Sequence, residues 1–319
     1  MTERELLYVK TIVEEHSISK AAQKLYVSQP SLSTCIQKIE RQLGTKLFNR
    51  TNNGLVQTFA GERYYQLALD VMKIYRNFEI EMTDINNLKK GRIVFGITVY
   101  LATHVLPIIL PAFKKQCPNI EVQIIEQNST NLDKALLAGD INFAVMHSFP
   151  NSEPEQNALV DIYPLFKDPF LLVTQKDHRL KKYAQQDSAC EYPKIDLALF
   201  KKESFILLNE GQKIRQISDL ILQQAAFEPD VLLITKSFET ARRLSSEGVG
   251  VSFIPRQYIG IFPNSYEADY YYLDQKYNPY WTLCVKAQQH AYLSKAERLF
   301  IRMLGSQFGT KGLMDDNTI

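Results

Sequence analysis

The chain has 319 residues, of which 45% are hydrophobic and 23% charged, and its formal net charge is +2. That length predicts two or three domains, and the composition is ordinary for a globular protein with buried cores. The first 30 residues hold no apolar run typical of a signal peptide, and the most apolar stretch, at 105–113, contains two prolines and is far shorter than a membrane span. Four widely spaced cysteines without a CxxC pair argue against a disulfide framework or a zinc site. We expect a cytoplasmic protein with no membrane partner, metal or cofactor.

Three short helices are predicted at the N-terminus. Apolar residues recur at helical spacing over residues 3–15, and a second helix is expected to begin with Ser19 as its N-cap. Ser28 is a suitable N-cap for a third helix, which Gly44 ends; its apolar stripe consists of Leu32, Ile36, Ile39 and Leu43. Three helices with a tight turn between the last two predict a helix-turn-helix.

A row of short polar side chains stands at the start of the third helix, in the sequence SQPSLST at 28–34. One cap satisfies a helix start, so the surplus indicates a contact surface. In a helix-turn-helix this end enters the major groove, where Gln pairs with adenine and Ser or Thr can donate or accept. Between residues 20 and 63 the chain carries seven Lys or Arg against two acids, a modest basic patch that a solvated helix face would also show. We predict DNA contacts from Ser28, Gln29, Pro30, Ser31, Ser33, Thr34 and Lys38.

A short β-hairpin is predicted after the third helix. Apolar pairs flank the turn-forming Asn52-Asn53-Gly54, which is typical of a two-stranded wing. Arg50 and Thr51 stand near its tip, and we expect both to lie beside the DNA backbone.

These segments carry a family resemblance. The stretches SISKAAQKLYVSQPSLS and LGTKLFNR, followed by Gly54, Thr58, Ala60 and Gly61, resemble the winged helix-turn-helix of LysR-type transcriptional regulators. The resemblance implies a sequence-specific regulator that binds a double-stranded DNA operator. The family usually carries Arg or Lys where this chain has Thr34, which puts family-derived operator rules in doubt.

One long helix is predicted to follow, because residues 59–88 contain no proline and their apolar residues recur at alternating spacings of four and three. Such a heptad seam packs against another helix. It consists of Tyr64, Ala68, Val71, Tyr75, Phe78, Met82 and Ile85. The chain's own C-terminal domain could cover the seam, whereas the resemblance implies an antiparallel helix pair between subunits of a homodimer or homotetramer.

The remaining two thirds of the chain alternate between strands and helices. Residues 92–147 follow the order β-α-β-α-β and a second such set spans 170–255, which predicts parallel sheets covered by helices, with ligands beyond the carboxyl ends of the strands. Strands at 270–274 and 281–287 are expected to return the chain to the first subdomain. The predicted fold is an α+β multidomain protein: an all-α winged helix-turn-helix (1–58), a linker and dimerisation helix (59–90), an α/β effector domain of two Rossmann-like subdomains (91–165 with 268–301, and 166–267), and a tail (302–319).

This C-terminal part is similar to the effector domain of LysR-type regulators, most closely in GITVYLATHVLP and SFETARRLSSEGVGVSFIP. The resemblance implies two subdomains, similar to periplasmic binding proteins, with a small effector in the cleft between them. Strand-to-helix turns present free N–H groups, so a small organic anion fits such a site. The residues that match family cleft positions are Thr98, Tyr100, Ser129, His147 and Asn209.

Structural roles would also explain several of these residues: Thr98 and Ser129 can cap helices, and His147 can be a half-buried histidine with its hydrogen bonds made. Tyr100 stands where Ser or Thr is frequent in the family, so the pocket is smaller or selects an aromatic or apolar group. Asn142 likewise replaces a frequent Asp.

Enzyme motifs are missing from the sequence. The five histidines form no HxH or HxxxH pair, and neither a GxSxG elbow nor a phosphate-binding loop with its lysine is present. We therefore expect no catalytic residues. The competing hypotheses are a cytoplasmic small-molecule binding protein, which the fused N-terminal helices disfavour, or an α/β enzyme whose N-terminal patch binds DNA nonspecifically.

Overall fold

The computed structural model describes residues 1–51, 54–85, 91–149, 159–260, 266–277, 279–289 and 291–309. Three helices, a hairpin and a long helix make up its N-terminal part, as the sequence predicts. They are α1 (Glu3–Glu15), α2 (Ile18–Lys24), α3 (Gln29–Leu43), β1 (Phe48–Thr51), β2 (Gly54–Gln57) and α4 (Phe59–Ile85). The turn and linker residues 52–53 and 86–90 lie outside the described part.

Side-chain caps define where the first helices begin. Ser28 caps α3 by accepting a hydrogen bond from the Ser31 N–H, and Gly44 ends the helix in the left-handed conformation at φ +68°. The predicted cap of α2 is wrong by two residues. Ser17 has the extended backbone of an N-cap and accepts from the Lys20 N–H, which leaves Ser19 inside the first turn.

The N-terminal helices share one apolar core, to which the first half of α4 contributes. Its buried residues are Leu6, Tyr8, Val9, Ile12, Ala21, Ala22, Leu32, Ile36, Ile39, Leu47, Tyr64 and Ala68. Leu43, predicted in the buried stripe of α3, is instead exposed. Tyr64 and Ala68 are buried against the chain's own helices. The N-terminal part of the predicted heptad seam is therefore covered within one subunit.

A close backbone approach joins the hairpin to α4. The Thr58 hydroxyl donates to the Lys46 carbonyl at 2.6 Å and accepts from the Gly61 N–H at 3.0 Å. A Cβ at Gly61 would lie 2.1 Å from the carbonyl oxygen of Leu47, so only glycine fits there. Thr58 and Gly61, two residues of the LysR-like motif, therefore hold the hairpin against the start of α4.

The C-terminal part is built on two connected groups of strands covered by helices. Its strands are β3 (Gly91–Ile97), β4 (Ile120–Glu126), β5 (Phe143–Ser148), β6 (Val160–Gln175), β7 (Lys194–Ile195), β8 (Ser204–Leu208), β9 (Asp230–Thr235), β10 (Ser252–Pro255), β11 (Ala268–Leu273) and β12 (Tyr280–Gln288). Its helices are α5 (Val99–Gln116), α6 (Ser129–Ala138), α7 (Lys213–Gln224), α8 (Phe238–Ser246) and α9 (Lys295–Phe308).

Strand β6 passes from the first subdomain into the second. Residues 160–169 pair antiparallel with β12, which also pairs with β5 and so joins the parallel set β4-β3-β5. Residues 170–175 pair with β10 and β11. A parallel pair, β8 with β9, lies next to β10 through a bridge between Phe205 and Val251.

Three features differ from the predicted C-terminal architecture. Strand β11 pairs with the second half of β6 and with β7, so the predicted return at 268 is wrong and β12 is the strand that returns to the first subdomain. The first half of β6 was not predicted as a strand. Helix α9 continues to Phe308, so residues 302–308 are helical rather than part of a tail. Among the residues that the structure describes, no helix is long and apolar enough to cross a membrane.

Candidate DNA-binding surface and effector cleft

The start of α3 presents most of the predicted DNA-contact side chains to solvent. Ser28, Gln29, Pro30, Ser31 and Thr34 are exposed and Ser33 is half-buried. The opposite side of α3 is held in the core by Leu32, Ile36 and Ile39. The polar row therefore lies on a free face of a helix whose position the core determines.

Hydrogen bonds within this row orient its side chains. The hydroxyls of Ser28 and Ser31 lie 2.7 Å apart, and the Ser19 hydroxyl donates to Gln29 Oε1 at 3.2 Å. Because its Oε1 is engaged, Gln29 is left with its amide N–H groups for an acceptor on a base edge. Ser19, predicted as a cap, therefore orients Gln29 across the turn between α2 and α3, a contact that the sequence did not predict.

Lys38 is exposed but is not a free cation. Its Nζ lies 3.4 Å from Glu5 Oε1 in α1. A hydrogen bond from the Thr2 backbone, and then Lys38 itself, lower the pKa of the Glu5 carboxyl. Arg50 and Thr51 lie on β1, at the end where the hairpin turns; their side chains are outside the described part.

Tyr26, in the turn between α2 and α3, was not predicted as a functional residue. Its side chain is 96% exposed, and its backbone is left-handed at φ +54°. A bulky residue in that conformation is uncommon and is found mainly in turns or under strain. Its position beside the start of α3 puts it within the same surface.

The predicted dimerisation seam divides into two parts. Tyr64 and Ala68 are buried in the N-terminal core and Val71 packs against it, so these three are not available to a second subunit. Tyr75 and Phe78 are 53% and 56% exposed, and Met82 is also exposed. The side chain of Ile85 is outside the described part.

Three of the five candidate effector residues lie at one edge of the first sheet. Because β3, β4 and β5 are parallel, with Ile97 paired to Glu126 and Val145, the turns after them are neighbours. Thr98, Ser129 and His147 follow or end these strands. Asn209 follows β8, which is parallel to β9, and so occupies the corresponding edge in the second subdomain.

The polar candidates make local contacts. Thr98 is the N-cap residue of α5 without a side-chain capping bond, and Ser129 is the first residue of α6, which Asn128 caps instead. The Asn209 N–H donates to the Thr235 carbonyl at 3.0 Å. Capping therefore accounts for neither the Thr98 nor the Ser129 hydroxyl.

His147 lies in a buried cluster where β5, β6 and β12 meet. Its ring stacks on Trp281 with centroids 3.7 Å apart, and its Nε2 is buried, 4.0 Å from Asp168 Oδ2, with no hydrogen-bond partner in the described part of the chain. Asp168 accepts from Trp281 Nε1 at 2.9 Å and from the Gln257 N–H at 3.1 Å. Burial lowers the pKa of His147 well below its usual value and raises that of Asp168 to about 7. The neutral His147 makes no ion pair with Asp168.

Tyr100 contacts the other subdomain. Its ring packs edge-on against Phe238, the first residue of α8, with centroids 4.6 Å apart, and lies 6.0 Å from Tyr258. The ring of His147 lies 6.1 Å from the same Tyr258. Aromatic contacts thus bring Tyr100 and His147 to one place between the two subdomains.

Lys213 also spans the cleft, and sequence analysis missed it. It is the first residue of α7 in the second subdomain, and its Nζ donates to the His147 carbonyl at 2.7 Å. Burial, and then repulsion by Lys286, lower the pKa of Lys213 to about 8. A sequence signal existed, because a lysine in the first turn opposes the helix dipole and is unfavourable there without a partner anion.

A second concavity borders the crossover strands. This groove of about 1530 Å³ is lined by residues that include Lys167, Asp168, Arg256 and Tyr280, but by none of the five candidate effector residues. Its size alone does not make this groove the effector site, because Tyr100, His147 and Lys213 meet in the cleft between the subdomains instead.

Comparison with known proteins identifies the class. Residues 4–62 match the model of the bacterial regulatory helix-turn-helix protein, lysR family, and residues 86–309 match that of the LysR substrate binding domain. Together they cover most of the chain. The protein is a DNA-binding transcriptional regulator with a substrate-binding effector domain, and it belongs to the LysR family.

Related sequences are also transcriptional regulators, and solved structures of LysR-type regulators have a similar fold. The chain is 27% identical over 258 residues to the HTH-type transcriptional regulator YcgK of Bacillus subtilis, covering 78% of each chain, and 28% identical over 260 residues to a probable RuBisCO transcriptional regulator of Trieres chinensis, covering 79% and 80%. Its fold is similar to a full-length variant of OxyR from Pseudomonas aeruginosa (TM-score 0.68, 23% identity, 98% of both chains) and to full-length CbnR complexed with its target DNA (TM-score 0.57, 18% identity, 97% and 100%).

Proposed function

We propose that the exposed polar face at the start of α3 reads a specific operator and that a small molecule bound between the two subdomains controls that binding. Two hydrogen bonds at the exposed start of α3 support the role in operator reading. One joins the hydroxyls of Ser28 and Ser31, and the other joins Ser19 of α2 to Gln29. Side chains held in place before binding lose less conformational entropy on contact with DNA.

A physical connection between the two halves supports the control by an effector. Helix α6 begins with Ser129 at the cleft and ends at Ala138, and the next two residues, Gly139 and Asp140, contact the N-terminal part. Lys10 of α1 donates to Asp140 at 3.1 Å, and the guanidinium of Arg76 in α4 lies directly against Gly139. A shift of α6 at the cleft would therefore reach the DNA-binding part through packed contacts.

Two oligomeric contacts belong to the same proposal. The exposed residues Ile74, Tyr75 and Phe78 give α4 an apolar side that a second copy of α4 would cover. Strand β9 offers another apolar surface, because Val231, Leu232, Leu233 and Ile234 are all exposed on it. Two different self-complementary surfaces suit a dimer that assembles into a tetramer.

Fluorescence anisotropy tests operator recognition. Purified protein is titrated into DNA from its own upstream intergenic region and into a scrambled control at several salt concentrations. We expect the native fragment to bind on the order of a thousandfold more tightly. Equal, steeply salt-dependent binding to both would leave only a nonspecific basic patch and would favour a small-molecule binding protein or an enzyme.

Variants separate base reading from phosphate binding. We expect Gln29→Ala and Ser33→Ala to weaken binding to the native fragment selectively, by about tenfold each, and Arg50→Ala to weaken binding to both fragments and to flatten the salt dependence. Gln23→Ala, which removes an exposed amide from α2, serves as the control. Equal losses on native and scrambled DNA for Gln29→Ala would refute its role in base reading.

A further inference from the structure

We propose that Lys213 is the anion-binding residue of the effector cleft and that the effector is a small carboxylic acid with a flat apolar body. The proposal rests on the proposed function of the cleft, and it assigns that cleft a residue and a ligand class. In the ligand-free protein the Lys213 ammonium is held on the carbonyl of His147; an incoming carboxylate replaces that carbonyl as its acceptor.

The Lys213 ammonium lacks a counter-charge among the described residues. The Lys213 ammonium is largely buried, yet no carboxylate of the described residues forms an ion pair with it. The nearby Asp133 pairs with Lys286 at 2.8 Å, so that carboxylate is already engaged by another lysine. A buried charge without a partner is unfavourable. An anionic ligand would supply the missing counter-charge.

Lys213 stands at the start of α7. The N–H groups of a first helical turn carry partial positive charge, which adds to that of the lysine. The side chain of Gln212 at the N-cap does not cap the helix; it accepts from the Asn209 N–H and donates to the Lys236 carbonyl instead. Both features favour a negative ligand at this point.

The His147 ring next to this contact has a buried polar atom, Nε2, which faces Asp168 Oδ2 at 4.0 Å without a hydrogen bond. His147 is almost completely buried, and its Nε2 has no hydrogen-bond partner among the described residues, while its carbonyl holds Lys213. Native proteins rarely leave such an atom unsatisfied. The cluster therefore has an unmet polar requirement in addition to an unmatched charge.

Aromatic side chains define the apolar part of the ligand. The Lys213 ammonium lies 5.6 Å from the ring centroid of Phe149, and Tyr100 packs on Phe238 beside Tyr258. A ligand that carries its carboxylate to Lys213 would place its body among these rings, where flat apolar groups stack favourably. Tyr100 thus limits the ligand to a thin shape, consistent with an aromatic or similarly planar acid.

The only tryptophan of the sequence is a built-in reporter of this site, since Trp281 stacks on His147. The full-length protein is titrated with phenylacetate and with its neutral isostere phenylacetamide at pH 7 and constant ionic strength, and Trp281 fluorescence is followed. We expect a saturable change with phenylacetate and affinity at least about tenfold weaker for phenylacetamide.

Two variants test the residue itself. Lys213→Met keeps the length of the side chain without its charge, and we expect it to weaken phenylacetate binding at least about tenfold while leaving the weak phenylacetamide binding unchanged. Lys213→Arg keeps the charge, and we expect it to retain phenylacetate binding. If Lys213→Met fails to fold, a folded Lys213→Arg that does not bind phenylacetate more tightly than phenylacetamide would still contradict the proposal. Circular dichroism checks the fold of each variant.

Several results would overturn the proposal. These are equal binding of the acid and the amide, full affinity in folded Lys213→Met, and no saturable change at tens of millimolar phenylacetate. Operator binding is measured on the same ligand-free samples, so that failure of the Lys213 proposal can be distinguished from failure of the proposed function. If the natural protein shows no charge-dependent anion binding but binds its operator specifically, only the role of Lys213 is refuted. If it binds the anion in a charge-dependent way but shows no DNA specificity, only the proposed regulation is refuted.

Discussion

Asn142 shows how one side chain depends on a residue far along the chain. Its Nδ2 lies 2.5 Å from Oε1 of Glu297, whose carboxylate is completely buried and whose Oε2 accepts from the Ser294 N–H to begin α9. The family often has Asp at this position, and sequence analysis found no consequence of the change. The structure supplies one: a carboxylate at 142 would face a buried carboxylate, whereas an amide donates to it.

The residue-scale prediction is that Asn142→Asp destabilises the effector domain by about 1–3 kcal/mol at pH 7, because two like charges would meet in a buried place. The penalty should disappear at acidic pH, since the raised folded-state pKa of the pair keeps one carboxyl protonated there. Urea denaturation at pH 4.5 and 7 measures both effects.

The matched control is the double variant Asn142→Asp with Glu297→Gln. It restores one amide and one carboxylate with their positions exchanged, and we expect it to recover most of the stability lost at pH 7. A double variant less stable than Asn142→Asp alone would show that repulsion is not the cause.

Buried Asp168 allows a second prediction at this scale. Burial raises its pKa from 3.8 to about 7, so the folded state binds a proton that the unfolded state loses as pH rises from about 4 to 7, and stability falls over that window. Asp168→Asn removes this loss. We therefore expect the stability of the variant relative to the natural chain to rise between pH 4 and 7, by on the order of 2 kcal/mol in chemical denaturation; a constant difference would contradict the shift.

At the scale of elements, helix α4 has one apolar pattern but two different environments. Its first turns carry Tyr64 and Ala68 into the core of the N-terminal helices, while the turns around Tyr75 and Phe78 leave their apolar side exposed. A heptad pattern identifies an apolar face; it does not say whether the partner is the same chain or another one.

We expect Tyr75→Asp and Phe78→Asp to abolish dimers at micromolar concentration while the helical content is preserved, because each places a carboxylate in the proposed interface. Ala68→Asp should instead unfold the N-terminal helices, since that site is completely buried. Sedimentation velocity and circular dichroism measure the two effects. Gln66→Asp, at an exposed site of α4, is the control, and dimers that survive both seam variants would refute the interface.

At the scale of the whole molecule, α6 links the cleft to the DNA-binding part. Lys10 is only 6% exposed and donates to Asp140, burial lowers the pKa of Arg76, and Lys73 donates to the Gln289 carbonyl. Lys10 and Arg76 thus approach the carboxyl end of α6, where the helix dipole is negative, and Lys73 binds a separate backbone carbonyl.

Asp140→Lys is expected to separate these parts, because it would put another ammonium group beside Lys10 and Arg76. Amide hydrogen exchange in the last turn of α6 and in α1 should become about tenfold faster or more. Adding Lys10→Asp restores opposite charges and should return much of the protection. Asp219→Lys, which reverses the exposed carboxylate of the ion pair with Arg215, is the control. Faster exchange in that control as well, or no recovery in the double variant, would contradict a specific contact.

Local patterns were enough to predict most elements. Strand β4 and helix α6 occur in the predicted β-α order, because a period of two or 3.6 residues, a cap and a terminal glycine are encoded by neighbouring residues. The order of strands and helices predicted parallel sheets with ligands beyond the carboxyl ends of the strands, and the family resemblance supplied the two subdomains and the candidates Thr98, Ser129 and His147. The polar row at the start of α3 was visible because a helix start requires only one cap.

Only the tertiary structure decided which partner each residue meets. Strand β6 was half missed because its first part is defined by pairing with β12, more than 100 residues later. Ser19 donates to Gln29, Asn142 donates to Glu297, and Lys213 donates to the carbonyl of His147. The spacing of these residues along the chain does not reveal such contacts. The amino-acid sequence by itself determined the elements and the family, since periodicity and motifs are local. The placement of charge in the cleft depends on burial and on distant groups, which exist only once the chain has folded.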